Sequence, residues 1–103
     1  MKEVKAILQP FMLPHVRDAL HALEGLSAIT TSEFHGVGAR EIASYEEHVR
    51  VKLEVLVPDR LVGAVVDVIQ RHAHTGNPGD GYVLVIPVER TTRIRTGEDV
   101  VET

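Results

Sequence analysis

Residues 49–57 read Val-Arg-Val-Lys-Leu-Glu-Val-Leu-Val, and no other stretch limits the fold so tightly. In an extended chain Val49, Val51, Leu53, Val55 and Val57 share one side, and Arg50, Lys52, Glu54 and Leu56 share the other. Such a strand needs a cover for its apolar side, and the flanking sequence supplies one twice. Over residues 3–9 Val4, Ala6 and Leu8 alternate with Lys5, Ile7 and Gln9. Pro10 ends that strand, and Pro14 suits the first turn of a helix. Val16, Ala19, Leu20 and Leu23 then recur at helical spacing up to Gly25. In the second unit Pro58 closes the strand, and Asp59 is placed to N-cap a helix carrying Leu61, Val62, Val65, Val66 and Ile69. The β-branched run 27–35 and the run 82–88 supply the other two strands. The order β-α-β-β-α-β predicts an α+β, ferredoxin-like fold: a four-stranded antiparallel sheet with both helices on one face. The second face is left open and reads as fairly apolar, which favours burial against another copy.

The chain has 103 residues, enough for one domain with a modest core. Four aromatic residues leave that core to Val, Leu and Ile. The absence of cysteine excludes disulfides and thiolate metal sites, and fits the cytoplasm. A net charge of −4 argues against nonspecific nucleic-acid binding. No apolar run approaches the ~18 residues of a membrane span, so a soluble protein is expected.

The chemistry concentrates between Thr75 and Glu98. Thr-Gly-Asn-Pro-Gly-Asp-Gly, 75–81, is a glycine-rich turn whose backbone N–H groups could converge on an anion. After the next strand comes Arg93-Ile94-Arg95, in a segment that is extended or a turn. Extended, it would point both guanidinium groups to one side, as a phosphate requires. The turn lacks the Gly-Lys-Ser/Thr ending of a Walker motif. Gly36 and Gly38 add a second glycine break. His72 and His74 lie two apart near a helix end, but no carboxylate or cysteine stands beside them at ligand spacing, so no metal ligands are assigned. No nucleophile–base arrangement appears, and no catalytic residue is expected.

Taken together, these motifs resemble the PII family of signalling proteins. The likeness runs through Lys2-x-x-x-Ala6-Ile7-x-x-Pro10-Phe11, Val16-Arg17-x-Ala19-Leu20 and Gly36-Val37-Gly38. It continues in Lys52-x-Glu54-x-x-Val57-Pro58-Asp59 and the whole of 75–98. The resemblance implies one PII-like domain over 1–103, with a short T-loop at 39–48, a B-loop at 75–82, and a C-loop and tail at 91–103. It implies a homotrimer binding an adenine nucleotide (ADP, AMP or ATP) as a regulatory ligand between neighbouring subunits, with no catalytic cofactor. By that likeness Ile7, Thr30, Glu54 and Leu56 surround the adenine and ribose. Gly36, Gly38, Thr75, Gly79, Asp80 and Gly81 form the cradle, and Arg40, Arg93 and Arg95 meet phosphates. The implied partner is a membrane transporter or metabolic enzyme.

Departures from the family pattern narrow the expectation. Tyr82 stands where a lysine usually follows Gly-Asp-Gly, and losing one charged contact costs about 1.5–3 kcal/mol, which favours ADP or AMP over ATP. No glutamine follows the Gly36-Val37-Gly38 element, where Ala39-Arg40-Glu41 stands, so 2-oxoglutarate sensing is not implied. Only Ala39 to His48 occupy the T-loop, and Tyr45 there lacks the context of the family's modified tyrosine. Similar short-loop members are associated with bicarbonate transport or metal efflux. The alternatives are a nitrogen-regulatory PII, or a metal-binding protein of the same fold resembling the CutA group.

Overall fold

The alternation of 49–57 is realised in a strand whose alternate side chains are buried. The computed structural model describes residues 1–36 and 48–101. Strands β1 (Lys2–Leu8), β2 (Ile29–Gly36), β3 (His48–Val57) and β4 (Gly81–Pro87) form one antiparallel sheet in the order β2-β3-β1-β4. Helices α1 (Leu13–His21) and α2 (Val62–Ala73) complete the ferredoxin-like plan. Val4, Ala6 and Leu8 from β1 meet Val51, Leu53, Val55 and Val57 from β3 in the core. Val16 and Leu20 of α1, with Val65 and Ile69 of α2, close over them from one side. Their four-residue spacing places each pair on a single helix face. Fully burying each Val or Leu contributes about 1.5–3 kcal/mol, so this aliphatic layer holds the fold without aromatic residues. No helix among the described residues is long and apolar enough to cross a membrane.

Both helices begin in two steps. A 3-10 turn, Pro10–Met12, precedes α1, and another, Asp59–Leu61, precedes α2. Asp59 does not cap the helix, because its carboxylate is taken by the Met1 amino group at 3.1 Å and by Lys2 Nζ at 3.2 Å. These bonds hold the Asp59 carboxyl below its ordinary range. The charge meant for a helix end instead ties that end to the start of β1.

The open face is less apolar than its sequence suggests. The strand register places Glu3, Lys5, Lys52 and Glu54 together at its centre. The apolar side chains gather on β4, where Tyr82 and Leu84 are exposed and share the face with Ile86.

Candidate functional site

The glycine-rich turn between α2 and β4 is organised around Asp80. Its carboxylate accepts hydrogen bonds from the backbone N–H of Thr75 at 2.8 Å and of Gly76 at 3.0 Å, and from the Thr75 hydroxyl. Thr75 Oγ1 in turn accepts the Asn77 N–H at 3.2 Å. Two of the donors that an anion could use thus point inward. Asp80 acts as the latch of the turn, and the Thr75 hydroxyl, followed by the backbone donors, keeps its carboxyl below the ordinary range. His74 Nδ1 lies 3.8 Å from Asp80. A carboxyl whose folded pKa is depressed stabilises the turn above its unfolded pKa. That contribution fades as pH falls through the folded value. Asp80→Asn should therefore speed amide hydrogen exchange at Thr75 and Gly76 near neutrality, and should blunt the acid dependence seen in the parent.

Gly76, Gly79 and Gly81 all adopt positive φ. Gly81 opens β4 opposite Leu8, and a Cβ there would fall 1.7 Å from the Ile7 carbonyl oxygen. Gly79 is held differently: Gln9 Nε2 donates to its carbonyl at 2.9 Å. A Cβ on Gly79 would lie 3.2 Å from Arg50 Nη2. Behind the turn a cavity of about 290 Å³ is lined by Leu8, Val66, Ile69, Ala73, Asp80 and Tyr82, among others.

A second cluster sits at the other end of the sheet. Thr30 pairs directly with Glu54, and Leu56 follows on the same face of β3. These three border a cleft of about 520 Å³ together with Glu3, Arg90 and Thr92. Glu3 and Glu54 share a hydrogen bond there, which raises the Glu3 carboxyl and lowers that of Glu54. Beyond the cleft, residues 91–100 fold back on themselves. Arg93 N–H donates to Glu98 O, Gly97 N–H to Arg93 O and Val100 N–H to Thr91 O, each at 2.8 Å. Asp99 accepts from Arg90 Nε at 3.1 Å and from Thr92 Oγ1 at 2.9 Å. Residues 94–96 form a turn, so strand alternation does not align Arg93 with Arg95. The two exposed arginines instead stand at the tip of a small hairpin, on either side of a fully exposed Ile94.

These two clusters gather most of the site residues expected from sequence. Gly36 ends β2 opposite His48, and Ile7 lies between Lys52 and Tyr82, toward the end that holds Thr75, Gly79, Asp80 and Gly81. Thr30, Glu54 and Leu56 lie toward the end from which the Arg93/Arg95 hairpin emerges. Leu8 pairs with Gly81 whereas Glu3 pairs with Leu56, a separation of about 17 Å at ~3.4 Å per strand residue. Gly38, Arg40 and Tyr45 fall outside the described residues, as does the T-loop except His48, which opens β3. Arg50 and Gln9 were not singled out from sequence, although alternation put both on the open face. Their approach to Gly79 joins positions 29 and 70 residues apart, and it comes from the path of the turn across the end of the sheet.

Residues 1–98 match the family model described as nitrogen regulatory protein P-II. The chain belongs to the PII family. It is 43% identical over 107 residues to the nitrogen regulatory protein P-II of Azospirillum brasilense, covering 95% of both chains. It is 42% identical over 108 residues to nitrogen regulatory protein P-II 1 of Escherichia coli strain K12, covering 96% of both. The corresponding protein of Rhodospirillum rubrum is 40% identical over 107 residues, again covering 95% of each. The PII family is regulatory. Among the described residues of this PII chain, no group of three or more His, Asp or Glu side chains is arranged to hold a metal. His72 is exposed on α2, while His74 faces Asp80.

Proposed function

We propose that this PII chain is a cytoplasmic homotrimeric regulator that binds an adenine nucleotide (ADP, AMP or ATP) in each cleft between neighbours. The observation carrying this reading is the division of the site. A glycine-rich turn and a pair of presented arginines occupy opposite ends of one sheet, so two copies side by side can join one copy's turn to another's hairpin. Thr30, Glu54 and Leu56 then flank the base and ribose. Gly36, Gly38, Gly79 and Gly81 approach the phosphates closely, and Arg40, Arg93 and Arg95 supply charge. Asp80 shapes the turn. Occupancy biases the 39–48 loop through differential affinity for its conformations, and so changes the grip on a transporter or enzyme, in inorganic-carbon (bicarbonate) metabolism. The single domain spans 1–103, and the protein is not an enzyme.

Titration calorimetry with ATP, ADP and AMP, alongside light scattering for subunit number, tests this reading. A folded trimer that binds none of them would sink it. The names of the relatives favour a second reading, nitrogen regulation. Repeating the ADP and ATP titrations with 2-oxoglutarate present separates the two: altered affinity supports nitrogen regulation, and unchanged affinity supports the first reading.

A further inference from the structure

Lys2, Lys52, Arg71 and Arg90 each pair with a carboxylate. Arg50 has no such partner among the described residues. Its Nη1 donates to its neighbour's carbonyl, Val49 O, at 3.0 Å. Its Nη2 faces the glycine-rich turn, 3.2 Å from where a Cβ on Gly79 would stand. Arg50 is half-buried on the open face, one register step beyond the Leu8–Val51 pair, so it lies alongside Gln9. Gln9 secures the same glycine through its carbonyl. The guanidinium and the backbone of the turn are thus held together by β1 and β3, both built into the core. On the opposite flank, Tyr82 of β4 lines up with Ile7 and contributes no positive charge.

We infer that Arg50 is the phosphate-binding cation of the glycine-rich turn, supplying from β3 the charge that Tyr82 does not supply from β4. The inference rests on the proposed nucleotide reading and deepens it. Gly79 itself puts no side chain between the turn and the guanidinium, Gln9 Nε2 stands 3.3 Å from the same point as a second donor, and the planar donor fork suits phosphate oxygens. The Nη1 bond to the Val49 carbonyl holds the guanidinium beside the turn. The contact selects for a phosphoryl chain that extends to the turn, so it distinguishes ADP from AMP.

The test is calorimetry of ADP and AMP binding to the parent protein, Arg50→Gln, Arg50→Lys and the double variant Arg50→Gln/Tyr82→Lys. Circular dichroism and size-exclusion chromatography check each fold. Arg50→Gln should weaken ADP at least about tenfold, as loss of a charged hydrogen bond predicts, while changing AMP by less than about threefold. Arg50→Lys should retain part of the affinity, and adding Tyr82→Lys to Arg50→Gln should restore ADP binding. Unchanged ADP affinity in Arg50→Gln, or equal losses for ADP and AMP, overturns the assignment while leaving the nucleotide reading standing. If Arg50→Gln does not fold, the ADP-to-AMP ratio of Arg50→Lys decides: it should fall relative to the parent, and an unchanged ratio overturns the assignment. A folded parent that binds neither nucleotide removes the nucleotide reading and the role of Arg50 with it.

Discussion

Gly81→Ala is expected to destabilise the protein by about 3 kcal/mol or more, combining positive-φ strain with overpacking against backbone. A Cβ at residue 81 would lie 1.7 Å from the Ile7 carbonyl oxygen, with φ at +98°. The obstacle is the backbone of β1, which lies between β3 and β4 in the sheet and is anchored in the core by Val4, Ala6 and Leu8. It cannot step aside as a flexible side chain could. Relief therefore requires the first pair of β4, Gly81 with Leu8, to separate and take the end of the glycine-rich turn with it. Urea denaturation measures the loss as a lower midpoint. Gly63→Ala is the control: it lies in α2 with nothing within 4 Å of an added Cβ, so it should be neutral or stabilising by up to about 1 kcal/mol. Equal midpoints for Gly81→Ala and the parent would show that β4 can start without this close approach.

The double substitution Arg93→Ala/Arg95→Ala is expected to weaken ADP binding by roughly 3 kcal/mol or more, beyond about 100-fold, if each guanidinium makes one charged hydrogen bond to phosphate. The hairpin should survive the change. Its bonds at Arg93 use backbone N–H and C=O, and its side-chain lock is Asp99 with Arg90 and Thr92. Subunit number and circular dichroism should accordingly match the parent, so the loss of affinity reports on the arginines themselves. ADP affinity within twofold of the parent would remove the pair from the site.

The layered plan was legible in the sequence because burial imposes a period. β3 alternates because one of its sides faces the helices, and Val16/Leu20 and Val65/Ile69 recur because one helix face meets the sheet. Long-range electrostatics were not legible. Asp59 has the spacing of a helix cap, yet its charge is claimed by Lys2, a neighbour created only by folding. Arg50 was similar: alternation placed it on the open face, and the path of the glycine-rich turn brought Gly79 to it. Nor did composition show how Glu3, Lys5, Lys52 and Glu54 would meet at the centre of the sheet, since cross-strand neighbours depend on register. Arg93 and Arg95 were identifiable as a pair, but their spacing could not tell a strand from the turn at 94–96. The glycine-rich turn could be located, whereas its inward latch at Asp80 emerged from the side-chain bonds.

On the proposed nucleotide reading, the 91–100 hairpin also sets the kinetics of capture. Three backbone hydrogen bonds and the Asp99 lock are made within residues 90–100 themselves, so the hairpin's own groups order the arginine backbone. Little backbone entropy would remain to be lost on capture, and two positive charges at an exposed tip attract anions from a distance. On that reading capture is expected to be fast and similar for related phosphates. Discrimination would then fall to residence time: a ligand that engaged both the tip and a neighbouring copy's turn would depart slowly, and one that reached only one of them quickly.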